Sequence, residues 1–587
     1  MKNLITSKRQ EVYSNSSKQE NVVIPGFFYD FLKSKKKFKN INNEKNYHWS
    51  NKNKLKKDLK KILIIYNKLL DNLYRKLNLI HGKNFPKKYW EALIWVWLYR
   101  YITYYYDRWE IVNSLNRKYK TNTICKKFKF QEKYFIPKDT EDWCSTNVMS
   151  DDWNHWVLIK IIDHQNKLKT SLINKIKKKP RKDFDYRDLY EKENLLKRTL
   201  KSIFLLKNTN LFSQNIGLTK NTPKKFSLFF QNFLTINKDL FWKFGHNIWE
   251  NERNLISKKK SDFNSKFEKF LISQIKFNFP TIFLENYKKG VHEIKKQKLP
   301  VNPKIIVTSV DDISNEPFKF YMAEKITSGS KLFLIQHGGS YGTSENFPIE
   351  KLQLKIADKY FSWGWKDQNK KVVPNFCLKN LGIQIKQNKQ TKGLLIPILD
   401  LSLYPSQISD GRPRCIYEIN NYIKTLKIFF SNLKENIKSE SAFKYLDVYK
   451  VYPNYVLNTL KSSFRTASFF SSHKRGCFFL NKYKLNVETF NSTGYLESFN
   501  LNLPTILIFD KSYCRIRKNS VKYFRLLEKA RILFYDPFEA AKFINSNYSN
   551  ISEWWNSKKV QRALNIFVNE FAKSTKNPNR FLKKFKN

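Results

Sequence analysis

The stretch KLFLIQHGGSYG, Lys331–Gly342, decides how the rest of this chain is read. Five residues of strand-forming character end on Gln336 and His337. Three glycines then fall within five positions, in a chain with only 15 Gly among 587 residues. A short apolar run that stops at a glycine-rich turn predicts a buried strand feeding a tight loop. Such loops, at the carboxyl ends of strands in open α/β sheets, are where ligands bind. Gly338 and Gly339 would let the backbone approach a phosphate and aim N–H groups at it. His337 is the natural proton acceptor near neutral pH, and as imidazolium it also binds phosphate. A tight turn with a hydrogen-bonded His is the structural alternative.

Working outward, the same texture recurs. KIIVTSV (304–310) precedes the stretch and DKYFSWGW (358–365) follows it. GLLIPIL (393–399), YLDVYKVYP (445–453), KLNVET (484–489), PTILIFD (504–510) and ARILFYD (530–536) complete the series. Helical segments are predicted between them at Lys319–Gly329, about Pro413–Lys438 and Thr493–Asn500. Short apolar strands alternating with helices predict a parallel α/β sheet. The polar segment 366–392 interrupts the series and reads as a linker between two α/β domains. Upstream, apolar residues from Leu55 to Leu77 recur at three- and four-residue steps, and helical patterns run on to about residue 290. The first 60 residues are polar and Lys-rich, with one short strand expected at Val22–Phe28.

Composition removes several classes. Hydrophobic residues are 41% and aromatics 16%, too many for a disordered polycation. Six Cys are scattered without zinc-type spacing, so neither a structural metal nor a disulfide scaffold is expected. The Met1 segment carries no apolar h-region, which predicts a cytoplasmic chain without a signal peptide. The aromatic run Tyr89–Tyr106 has only eight uninterrupted apolar residues between Glu91 and Arg100, too few to span a bilayer, and predicts a buried helix. Lys+Arg exceed Asp+Glu by 110 to 50, a net charge of +60. With 91 Lys against 19 Arg, AT-rich codon usage explains much of this, and an anionic partner is the other source.

Two further candidates lie downstream. In Glu488–Glu497, ETFNSTGYLE, a strand ends where Ser492 and Thr493 precede a helix. Their hydroxyls suit either a helix cap or a diphosphate, with Glu497 one turn on, placed for a ribose hydroxyl. Lys450 stands at the end of another predicted strand. The pair Asp311-Asp312 reads as a loop or cap, with room for a ligand role at Asp311.

Together, the strand–HGG loop, the WGW that follows and the STxxLExxxxNxPT segment resemble the bacterial surface-carbohydrate (O-antigen type) transferase family. YHW at Tyr47–Trp49, YDR at Tyr106–Arg108 and Trp554-Trp555 extend the resemblance over most of the chain. It implies a GT-B-like α/β fold: two Rossmann-type parallel-sheet domains facing a cleft, with a large helical N-terminal elaboration. It places an acceptor-side domain at 1–370, a linker at 371–392 and a donor-nucleotide domain at 393–587. It implies a metal-independent glycosyltransferase with no cofactor, acting on a nucleotide sugar and a carbohydrate or lipid-linked acceptor. His337 would be the catalytic base or a phosphate ligand; Gly338, Gly339, Lys450, Ser492, Thr493 and Glu497 would hold the donor. The charge suits the anionic inner face of the cytoplasmic membrane, with no specific nucleic acid as partner. A basic nucleic-acid-binding protein and a non-catalytic scaffold are the rival readings.

Overall fold

The computed structural model describes residues 2–7, 10, 21–23, 41–43, 47–119, 123–173, 179, 210–230, 235–258, 262–297, 299–385, 391–399, 409–446 and 455–585. Among them, sixteen strands form three sheets in which every strand pair is parallel.

The second sheet contains the HGG strand. It runs in chain order through β6 (Leu211–Gln214), β7 (Ile305–Thr308), β8 (Lys331–Ile335), β9 (Lys359–Ser362) and β10 (Val372–Pro374). The third sheet holds β11 (Leu394–Pro397), β12 (Ala442–Tyr445), β13 (Ser468–Ser471), β14 (Leu485–Glu488), β15 (Thr505–Ile508) and β16 (Leu533–Phe534). Its order, β13-β12-β11-β14-β15-β16, reverses direction between β11 and β14. That reversal is the switch point at which Rossmann-type sheets take their ligands. β7, β14 and β15 are buried along their whole length, as parallel strands covered on both faces must be. These are the two sheets of a GT-B-like α/β fold, and a helical N-terminal region accompanies them.

Two features were not foreseen. Val372–Pro374, inside the stretch read as linker, pairs with β9 as the edge strand β10. The polar N-terminus also contributes a sheet of its own. β1 (Lys2–Ile5), β2 (Asn21–Val23), β3 (Ile41–Asn43), β4 (Thr123–Lys127) and β5 (Lys169–Leu172) pair in the order β3-β2-β1-β4-β5. The strand expected at Val22–Phe28 is β2; residues 24–28 lie outside the described residues.

The helical region centres on two long helices, Lys52–His81 and Lys87–Tyr119. Asn51 caps the first, its side chain accepting from the Lys54 N–H at 2.9 Å, and Gly82 ends it at φ 59°. The second helix is apolar on nearly every face, and Trp90, Trp95 and Trp97 are fully buried. A helix of that kind belongs inside a protein. It packs on the first helix, on Glu316–Thr327 and on Pro348–Ile356. Buried indole N–H groups usually find partners: those of Trp143 and Trp153 both donate to Asn278 Oδ1 at 3.1 Å. No described helix is long and apolar enough to cross a membrane.

Candidate functional site

The site is built where the loop after β8 meets the loop after β14. Gln336 sets the first loop. Its Oε1 accepts from the Trp363 N–H and the Trp365 indole, both at 2.8 Å, while Nε2 donates to the Gly338 carbonyl at 2.9 Å. The WGW motif thus fixes the HGG turn. Gly342, at φ 69°, lies flat on Trp365, where a Cβ would come within 2.5 Å of the indole.

The second loop closes on the first. The Gly339 N–H donates to Thr493 Oγ1 at 3.0 Å. Asn491 Nδ2 donates to Thr343 Oγ1 and Ser344 Oγ, both at 3.0 Å, and Tyr495 Oη donates to Asn491 Oδ1 at 2.9 Å. A Cβ on Gly339 would lie 2.2 Å from the Ser492 carbonyl oxygen, so this glycine is needed for the loops to touch. A further strap joins the sheets where Asp410 accepts from the Asn346 backbone and side chain at 2.9 and 2.8 Å.

Sequence-predicted residues therefore converge: His337, Gly338 and Gly339 on one side, Ser492 and Thr493 on the other. The glycines are occupied by contact between the sheets. Thr493 does not cap its helix, Gly494–Asn500, because its hydroxyl faces Gly339. Ser492 Oγ donates to Glu488 Oε2 at 2.8 Å. Burial pushes the Glu488 carboxyl up to about 7, against the lowering effect of the Ser492 and Asn486 hydrogen bonds. Lys450 lies outside the described residues, as do 400–408 and the rest of 447–454.

His337 is partly buried, with Nδ1 3.4 Å from Tyr341 Oη. Tyr341 donates in turn to Gln353 at 2.8 Å, and Gln353 to Asp312 at 2.9 Å. Burial and then the charge of Lys379 hold the imidazole down to about 4; a hydrogen bond to the Ser309 carbonyl works the other way. At neutral pH the ring is therefore uncharged and keeps a lone pair for a proton.

Lys379 and Arg475 were not singled out from the sequence. Arg475 Nη1 lies 3.3 Å, and Lys379 Nζ 3.7 Å, from Glu497 Oε1. Glu497 is 3% exposed at its side chain, while the two cations are 21% and 29% exposed. Arg475 Nη1 also donates to Asn380 Oδ1 at 3.0 Å, and its buried Nη2 has no hydrogen-bond partner. Arg475 follows β13, at the carboxyl edge of the third sheet. Lys379 comes from the stretch read as linker. Two cations thus converge on one carboxylate next to a switch point, and the charge of one of them, Lys379, reaches His337.

One family's sequence profile, described as LIC12162 family transferase, matches residues 2–585. The chain belongs to this family of transferases. No protein in the curated set matches it in sequence. Among solved structures, a proposed UDP-N-acetylglucosamine 2-epimerase from Listeria monocytogenes is 14% identical, covering 53% of this transferase and 82% of that chain, with a TM-score of 0.32. Acinetobacter baumannii MurG is 9% identical over 50% of this chain and 77% of its own, TM-score 0.27. S. aureus MnaA, solved with UDP, is 14% identical over 48% and 80%, TM-score 0.28.

Proposed function

We propose that this transferase moves a glycosyl group from a nucleotide-activated donor to an acceptor hydroxyl, in the assembly of a surface-polysaccharide or lipopolysaccharide precursor. The observation that carries this reading is the meeting of the β8 and β14 loops, which brings the His337 loop against the start of the helix that carries Glu497, the carboxylate that Lys379 and Arg475 approach at 3.7 and 3.3 Å. The acceptor oxygen attacks the anomeric carbon. The bond from that carbon to the donor phosphate breaks, and its electron pair leaves with the nucleoside diphosphate. His337 takes the proton of the acceptor hydroxyl. Lys379 and Arg475, with Lys450, meet the leaving charge, so no resident metal is invoked and turnover should survive a chelator. Donor entry would draw the two cations onto phosphate and free the Glu497 carboxylate for a ribose hydroxyl.

The test is binding of a labelled nucleotide sugar and its displacement by UDP, GDP, CDP or CMP, followed by transfer. His337→Ala should abolish transfer while donor binding and thermal stability stay at wild-type level. Full activity in this variant would refute the assignment. Salt-sensitive retention on nucleic acid, without nucleotide-sugar binding, would favour the nucleic-acid reading instead.

The net charge of +60 supports attachment to an anionic membrane face, since each Lys or Arg near such a surface contributes about 1 kcal/mol. Co-sedimentation with phosphatidylserine-containing vesicles at physiological salt is expected. Failure to sediment would remove the membrane and leave the transfer reading intact.

A further inference from the structure

The ion pairs around Glu497 are built differently from a closed buried pair such as Arg253 with Glu285. There the guanidinium makes two hydrogen bonds, of 2.6 and 2.8 Å, and both side chains are buried. Around Glu497 the contacts open to 3.3 Å for Arg475 and 3.7 Å for Lys379, longer than the roughly 2.7–2.9 Å of a charge-assisted hydrogen bond. Glu497 Oε1 accepts no hydrogen bond, so charge alone draws it to the two cations. Arg475 holds a donor in reserve, because its Nη2 is buried without a hydrogen-bond partner. Solvent reaches both cations, at 21% and 29% exposure, and hardly reaches the carboxylate, at 3%. Asn380 keeps the group assembled: its Oδ1 accepts from Arg475 Nη1 at 3.0 Å, and its Nδ2 donates to the Glu497 backbone carbonyl at 2.9 Å. The Phe478 ring, whose centre lies 4.8 Å from the guanidinium carbon of Arg475, steadies that group without cancelling its charge. Two positive charges that solvent can reach are therefore matched by one negative charge held loosely from inside.

We propose that Glu497 is a returning counter-ion: it competes with bound phosphate for Lys379 and Arg475, and so speeds the release of the nucleoside diphosphate that transfer leaves behind. That this diphosphate is a product rests on the glycosyl-transfer reading; the competition rests on the three side chains alone. A phosphate that departs does not leave two bare cations, because the carboxylate is already in place to take them back. Linkage makes the effect reciprocal: what the carboxylate gains from the cations, phosphate affinity loses.

The experiment measures binding of inorganic pyrophosphate to the full chain by calorimetry at physiological salt, with nucleotide-sugar binding recorded on the same samples. Pyrophosphate has neither ribose nor sugar, so it reports the contest for the cations and no contact of Glu497 with a nucleoside. Glu497→Gln keeps the shape of the side chain and removes its charge. Pyrophosphate should then bind about tenfold more tightly, the scale of one charge-assisted hydrogen bond, and dissociate correspondingly more slowly. A merely structural role would give the opposite sign, since a disturbed site binds more weakly. The variant raises a net charge of +60 by only one, too little for the basic surface as a whole to produce such a gain. In a Lys379→Gln background the gain should shrink, because one of the contested cations is gone. If Glu497→Gln does not fold, Glu497→Asp, which draws the carboxylate back by one methylene, takes its place with a smaller gain in the same direction. Equal or weaker binding of pyrophosphate by the folded variant, or no binding by wild type and variant alike, would overturn the proposal. Tightened pyrophosphate in a chain without affinity for any nucleotide sugar would overturn glycosyl transfer and leave the competition standing.

Discussion

Replacing Gly339 with Ala adds one methyl group at the contact between the two sheets. Its Cβ would lie 2.2 Å from the Ser492 carbonyl oxygen, 2.5 Å from the carbonyl carbon and 2.9 Å from the Thr493 nitrogen. Ordinary contact begins at 3.4 Å, so the two backbones must part by about 1.2 Å. Backbone atoms have no rotamer by which to yield. The cost should resemble overpacking of a core, about 1–3 kcal/mol, including loss of the Gly339 N–H bond to Thr493. Both sheets remain complete, so the chain should still fold, with a lowered melting temperature. His337 is two residues away, and a displacement near 1 Å at a catalytic group costs about 100-fold in rate. Gly338→Ala is the internal comparison. Its nearest obstacle is the Thr493 hydroxyl at 2.7 Å, a side-chain end that can rotate, so its penalty should be smaller on both counts. Thermal denaturation and single-turnover transfer decide the matter. If Gly339→Ala equals the wild type in both, or ranks milder than Gly338→Ala, the reasoning about this contact is wrong.

Other expectations concern charge. Lys379→Gln should weaken nucleoside-diphosphate binding by about 1.5–3 kcal/mol, measured by calorimetry. The same variant should raise the pKa of His337, measured by NMR titration, because the Lys379 charge holds that ring down. Stability should fall in acid before the carboxylates titrate. Burial holds His81 down to about 4, well below its usual value, so the unfolded chain binds a proton that the native chain refuses. The sign follows: stability is complete above about pH 6.5, falls as pH drops toward 4, and loses about 3 kcal/mol from this residue. Denaturant titrations of wild type and His81→Asn across pH 4–7 test it, since the variant should lose its own share of that slope while His337, also held down to about 4, keeps a like share.

The parts of the site that could be read from sequence were those with a local signal. Gln336–Gly342 announced itself because glycine is scarce here, and Ser492–Glu497 because a strand, hydroxyls and a helix follow within ten residues. Lys379 and Arg475 have no such signal. Lys379 is one of 91 lysines in a stretch whose polarity suggested a linker, and only the fold sets it against Glu497. Asn491 likewise looked like any turn residue, yet it is buried and bonded to the opposite loop. The N-terminal sheet escaped notice because β1, β2 and β3 are four, three and three residues long, too short for a period to show. The long helices were legible because thirty residues repeat one pattern many times.

The contact of Gly339 with Ser492 has a mechanical consequence. It joins the two sheets within two residues of His337, and the Asp410–Asn346 strap and the Ser344–Ile516 bridge join them again. One joint alone would act as a hinge; three at separate points resist rotation. The separation of His337 from Ser492 is therefore set by the fold itself, as a keystone is set by the stones on either side.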